Sequence, residues 1–121
     1  METEKEKIVQ KICQAIYDKK GFNILALDVA DISTITDCLV IAEGNVDRHV
    51  VAISQEVVKE IEKDYGYRPF RIEGASAGEW VLIDYIDVMV HIFMPGAREK
   101  FRLEELWSKG IPIDLNLALS V

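Results

Sequence analysis

Apolar positions near the start of the chain recur at helical spacing: Ile8, Val9, Ile12, Cys13 and Ile16 form one stripe between charged neighbours. This pattern predicts an amphipathic helix. It starts at "TEKE", where Thr3 caps and Glu6 reaches back in a capping box, and it ends at Gly21 in a left-handed C-cap. The spacing then changes. "FNILALDV" predicts a strand, "ADISTIT" a polar loop, and "DCLVIAEG" a second strand so uniformly apolar that it suits a sheet interior. A second helix is predicted from Asn45 or Asp47, either of which can accept bonds from free backbone amides, through Val50, Ile53, Val57 and Ile61 to Gly66. "YRPFRIE" predicts a third strand, which Pro69 confines to an edge or a strand start because it has no N–H to donate.

"EWVLIDYIDVMVHIF", from Glu79 to Phe93, predicts a hairpin, and "AREKFRLEELW" a short helix after it. With Tyr85 and Ile86 as the turn residues, Asp84 falls opposite Asp87, Leu82 opposite Met89, and Trp80 opposite His91. Alternation then places these six on one face with Phe93, and Val81, Ile83, Val88, Val90 and Ile92 on the other. The second set is the aliphatic core side. The first is a mixture: two carboxylates that need a cation from Arg68, Arg71, Arg98 or a partner, and a tryptophan of the kind that anchors binding interfaces. Either a partner or another helix of the same chain can cover that face. The turn is the weak point, since a two-residue turn wants positive φ and Ile86 resists it; a three-residue loop would flip one strand.

The order helix, strand, strand, helix, strand, hairpin, helix predicts an α/β single-domain sandwich, a mixed five-stranded sheet with helices packed on it. Residues 1–110 make the domain and 111–121 a C-terminal tail. The tail alternates strictly at Ile111, Ile113, Leu115, Leu117, Leu119 and Val121, which fits an edge strand or strand addition to a second protomer in a homodimer. At 121 residues one core is expected. The charged start and the lack of a long apolar run predict a soluble cytoplasmic protein with no membrane segment. A net charge of −7 disfavours generic attraction to a phosphate backbone and favours a basic protein partner. Cys13 and Cys38 have no metal-type spacing and read as buried thiols.

Four stretches, "ALDVADISTITDCLVIAEGN", "DRHVVAIS", "EGASAGEWVLIDYIDVMVHIF" and "REKFRLEELW", resemble in order and spacing the ribosomal silencing factor family, also called Iojap proteins. The likeness runs from about Lys5 to Trp107. It implies a translational repressor that binds the large ribosomal subunit through ribosomal protein uL-fourteen and sterically blocks association with the small subunit. It also implies a nucleotidyltransferase-like topology without the catalytic residues, and often a homodimer. Incidental ribosomal RNA contact stays open, though Lys19 with Lys20 and the pair Arg68 and Arg71 are the only basic groupings. The family's patterns fall on Trp80, Val81, Leu82, Asp84, Asp87, Val88, Val90, His91 and Phe93, then on Arg98, Phe101, Leu103, Glu104, Leu106 and Trp107. The expected partner-binding set is therefore Trp80, Leu82, Asp84, Asp87, Met89, His91, Phe93, Arg98 and Phe101. Three positions depart from the pattern: Ile86 stands where the family commonly has glycine, Val46 where a capping serine is usual, and Cys38 where an aromatic is frequent.

An enzyme is the alternative. Asp28, Asp31, Asp37, His49, Asp84, Asp87 and His91 supply the ligand chemistry of a metal-dependent hydrolase or nucleotidyltransferase. The chain carries no HExxH pair, P-loop or G-x-G-x-x-G fingerprint, so the expectation is a non-enzyme with no catalytic residue, metal or cofactor.

Overall fold

The computed structural model describes residues 3–119; the side chains of Lys100, Phe101, Glu104 and Leu106 lie outside that description. Thr3 caps α1 (Glu4–Asp18), its hydroxyl accepting the Glu6 N–H at 3.1 Å. The left-handed residue after the helix is Lys20, not Gly21. Gly21 is required for a different reason: a Cβ there would stand 2.4 Å from Ile16 Cγ2. β1 (Phe22–Asp28) and β2 (Cys38–Glu43) pair antiparallel. α2 (Asp47–Tyr65) ends at Gly66 in the left-handed conformation, where its N–H reaches Glu62 O.

The N-terminus of α2 differs from expectation. Val46 is the N-cap and offers no side-chain bond, while Asp47 accepts only the Arg48 N–H. His49, in the first turn, does the tying instead. Its Nδ1 accepts the Asn45 N–H at 2.9 Å, which assigns the proton to Nε2 and lets Nε2 donate to Lys19 O at 2.8 Å. An imidazole thus fastens the start of α2 to the end of α1.

β3 is only Arg71–Glu73, shorter than "YRPFRIE" suggests, and all three residues are exposed at an edge. β4 (Trp80–Asp84) and β5 (Val88–Phe93) form the hairpin. The helix expected from Ala97 to Trp107 breaks into α3 (Ala97–Phe101) and α4 (Leu103–Leu106), because Arg102 takes left-handed angles, φ 49° and ψ 46°. β6 (Ile111–Pro112) adds a sixth strand. The sheet order is β3-β4-β5-β2-β1-β6, and β2 with β5 is the parallel pair in an otherwise antiparallel set.

This is the mixed α/β architecture expected, with six strands rather than five. α1 and α2 cover one face, where Val9, Ile12, Ile16, Val50, Ile53, Val57 and Ile61 bury against Val40, Val81, Ile83, Val90 and Ile92. The opposite face carries a smaller core, Leu27, Val29, Leu39, Ile41, Phe93 and Ala97, with Leu103 and Trp107 packed on it. Both thiols are free and buried, and burial pushes them up, Cys13 to about 12 and Cys38 to about 11.

The tail packs on its own chain. After β6, Ile113, Leu115 and Leu117 lie against the larger core. The Gln14 side-chain amide pairs with Ala118 in both directions, Nε2 donating to Ala118 O at 3.1 Å and Oε1 accepting the Ala118 N–H at 2.7 Å. Gln10 adds a bond to Asp114 O. The alternation therefore has an internal partner through Leu117; Val121 lies outside the described residues.

Candidate functional site

The hairpin register is shifted from the expected one. Trp80 pairs with Phe93, Leu82 with His91 and Asp84 with Met89, so the turn centres on Ile86 and Asp87, closed by Tyr85 N–H to Val88 O at 2.9 Å. A two-residue shift preserves face parity. Trp80, Leu82, Asp84, Met89, His91 and Phe93 still share the face opposite α1 and α2. Asp87 leaves it: it is exposed in the turn and lines a cleft of about 670 Å³ with Lys5, Ile8 and Tyr67 on the helix side.

The expected clash between Asp84 and Asp87 is absent, because Asp84 has its own partners. Its Oδ2 accepts from Arg71 Nε at 3.0 Å and its Oδ1 from the Ile86 N–H at 2.7 Å. With a relative exposure of 5%, it is a buried brace for the turn and not a surface group. Arg71, one of the cations suggested by the sequence, supplies the charge. Arg98 is also internal: it holds Glu43 at 3.2 Å and bonds to Asn23 O, while Asn23 Nδ2 donates to Glu43 as well. Phe101, the remaining member of the expected set, lies outside the described side chains.

Three aromatics organise the middle of the face. The Trp80 indole stacks on Phe93 with centroids 5.0 Å apart, and its Nε1–H donates to His91 Nδ1 at 3.0 Å. Phe93 is fully buried and His91 is 8% exposed. Burial lowers the imidazole's pKa to about 4, so at neutral pH the ring is uncharged and can accept this bond. Trp80, Leu82 and Met89 are only half-buried. Leu103 and Trp107 pack on the smaller core together with Trp80, Met89 and Leu25, and toward the sheet edge the face carries the half-buried Trp80 and Leu82 beside the exposed pair Arg71 and Glu73.

The other ligand-type residues disperse. Asp37 pairs with Lys5, Asp28 accepts the Ala30 N–H, and His49 bridges the two long helices. Among the described residues no group of three or more His, Cys, Asp or Glu is placed to hold a metal ion. No described helix is long and apolar enough to cross a membrane. The extension of the face across β2 and β1, through Ile41, Leu39, Leu25 and Leu27, was not readable from the sequence, since strand order leaves no local trace.

The profile of the family described as "Ribosomal silencing factor during starvation" matches residues 2–119. The chain belongs to the ribosomal silencing factor family. It is 35% identical over 115 residues to the ribosomal silencing factor of Halalkalibacterium halodurans, covering 95% of this chain and 97% of that protein. It is 33% identical to the mouse mitochondrial assembly of ribosomal large subunit protein 1, covering 83% of this chain and 45% of that longer one. A crystal structure of a Chromobacterium violaceum protein superposes with a TM-score of 0.83 at 32% identity, covering 88% of each chain. On the sheet face opposite α1 and α2, the distinctive feature is the half-buried strip of Trp80, Leu82 and Met89.

Proposed function

We propose that this silencing factor binds the large ribosomal subunit through ribosomal protein uL-fourteen and, by occupying that surface, blocks association with the small subunit in the cytoplasm. The observation that carries the reading is the half-buried apolar strip of Trp80, Leu82 and Met89, rimmed by Glu73 and Arg71, on the sheet face opposite α1 and α2. Partner contact falls to these three, whereas Asp84 braces the hairpin turn, Phe93 stacks under the indole and Arg98 ties α3 to Asn23 and Glu43. The net charge of −7 suits a basic protein surface better than naked RNA.

Specific interfaces concentrate energy in a few anchors, so Trp80→Ala is expected to cost roughly 2–4 kcal/mol of binding, on the order of a hundredfold in affinity. Leu82→Lys keeps a long aliphatic stem on the sheet while setting an ammonium against a basic partner, and should weaken binding by about as much. Charge reversal at Asp84 is a poor test because it removes the turn's brace. Co-sedimentation with large subunits and light scattering of subunit joining read the outcome, with circular dichroism confirming folding. Folded Trp80→Ala and Leu82→Lys that bind and silence like the unaltered protein would remove this face from the mechanism.

A further inference from the structure

We infer that His91 is a positioning residue for partner binding: its Nδ1 holds the Trp80 indole in one orientation, so that the all-carbon edge of the ring, and no N–H, is offered to the partner. The inference rests on the proposed role of this face. It begins from what surrounds position 91. In register with His91 across the sheet stand Leu82, Ile41 and Leu25, all apolar. A leucine would suit that row, and burying an imidazole there carries a desolvation cost that packing alone does not repay. What the imidazole adds is the 3.0 Å bond from Trp80 Nε1.

For a half-buried indole such a bond selects an orientation. The torsion that turns the ring about its stem is broad and roughly two-fold, and stacking on Phe93 does not by itself tell the two flips apart. The flips present different edges, and only one points Nε1–H at His91. Acceptance by Nδ1 requires the tautomer with its proton on Nε2, and burial keeps the ring in that neutral state. Trp80 then enters an interface with its donor already satisfied. Its partner surface needs apolar contact at that point and no hydrogen-bond acceptor, which suits exposed aliphatic side chains on a protein.

The test has two arms. In uniformly nitrogen-15-labelled unaltered protein, a nitrogen–nitrogen scalar coupling across the hydrogen bond should connect Trp80 Nε1 to His91 Nδ1, with the Trp80 signal told from Trp107 by its loss in Trp80→Phe. Absence of that coupling at neutral pH overturns the inference whatever the partner. In the second arm, His91→Asn, which keeps an acceptor near the Nδ1 position, should bind large subunits like the unaltered protein, and His91→Leu should bind about tenfold more weakly while remaining folded. In a Trp80→Ala background His91→Leu should cost nothing more, because the two act as a unit. Equal binding by folded His91→Leu and the unaltered protein overturns positioning. Unchanged binding by Trp80→Ala overturns instead the choice of face, a separate failure that the coupling measurement does not share.

Discussion

Ile86 holds φ at 74° and is 57% exposed, in the turn that closes the hairpin. A β-branched residue in that region is strained by about 1–2 kcal/mol, and glycine recovers this while losing up to about 1 kcal/mol of chain entropy. Ile86→Gly should therefore stabilise by a net of roughly 0.5–1 kcal/mol, seen as a thermal midpoint a few degrees higher. The sequence exposed this strain, and the departure from the family's glycine marked the right residue. It did not expose the register, because alternation fixes only which residues share a face; the observed turn is one in which Asp84 Oδ1 accepts the Ile86 N–H, a local bond that alternation does not signal. His91 leads to a second residue-scale prediction. Its pKa in the folded chain is about 4 against an ordinary 6.5, so between those values the unfolded chain takes up a proton that the folded one refuses. Stability contributed by the neutral ring is complete above about pH 6.5 and is lost as pH falls toward about 4, at up to about 1.4 kcal/mol per pH unit. Urea titrations at neutral and mildly acid pH should trace that slope, and His91→Asn should flatten its share of it.

Among the elements, the two long helices were legible to within a residue or two because both carry a stripe of fully buried aliphatics at helical spacing. The C-terminal helix was legible as helix but not as two pieces, since nothing in "KFRLEE" signals left-handed angles at Arg102. The tail was readable as strand-like, yet its partners were not, because they sit on α1, about a hundred residues earlier in the chain. Here the Gln14 side chain substitutes for a neighbouring strand. Gln14→Ala removes both bonds to Ala118, and at about 0.5–1.5 kcal/mol per bond it should loosen the segment from Ile113 onward without unfolding the domain. Faster limited proteolysis within that segment, at an unchanged unfolding midpoint for the rest, is the expected result. An unchanged cleavage rate would mean that Ile113, Leu115 and Leu117 hold the tail unaided.

At the scale of the molecule, composition and element order were enough for a mixed sheet under helices, and the mixed character of the hairpin face was enough to single out the face proposed as the contact surface. Which members of that face look outward was not legible, because exposure depends on where α3 and α4 come to rest. The place of β5 in the sheet has a consequence for the order in which the protein can be made. β3 and β4 are hydrogen-bonded to the remaining strands through β5, whose parallel partner, β2, lies fifty residues upstream. A chain released after Asp87 would hold two unjoined fragments of sheet, and it should lack the cooperative unfolding transition that a chain reaching past Phe93 shows by circular dichroism. During synthesis the two halves wait for six residues, Val88 to Phe93, which are also the residues that complete the Trp80 strip. A nascent copy therefore cannot present the Trp80 strip before its sheet is closed, so any contact made through that face waits on the joining of the two halves.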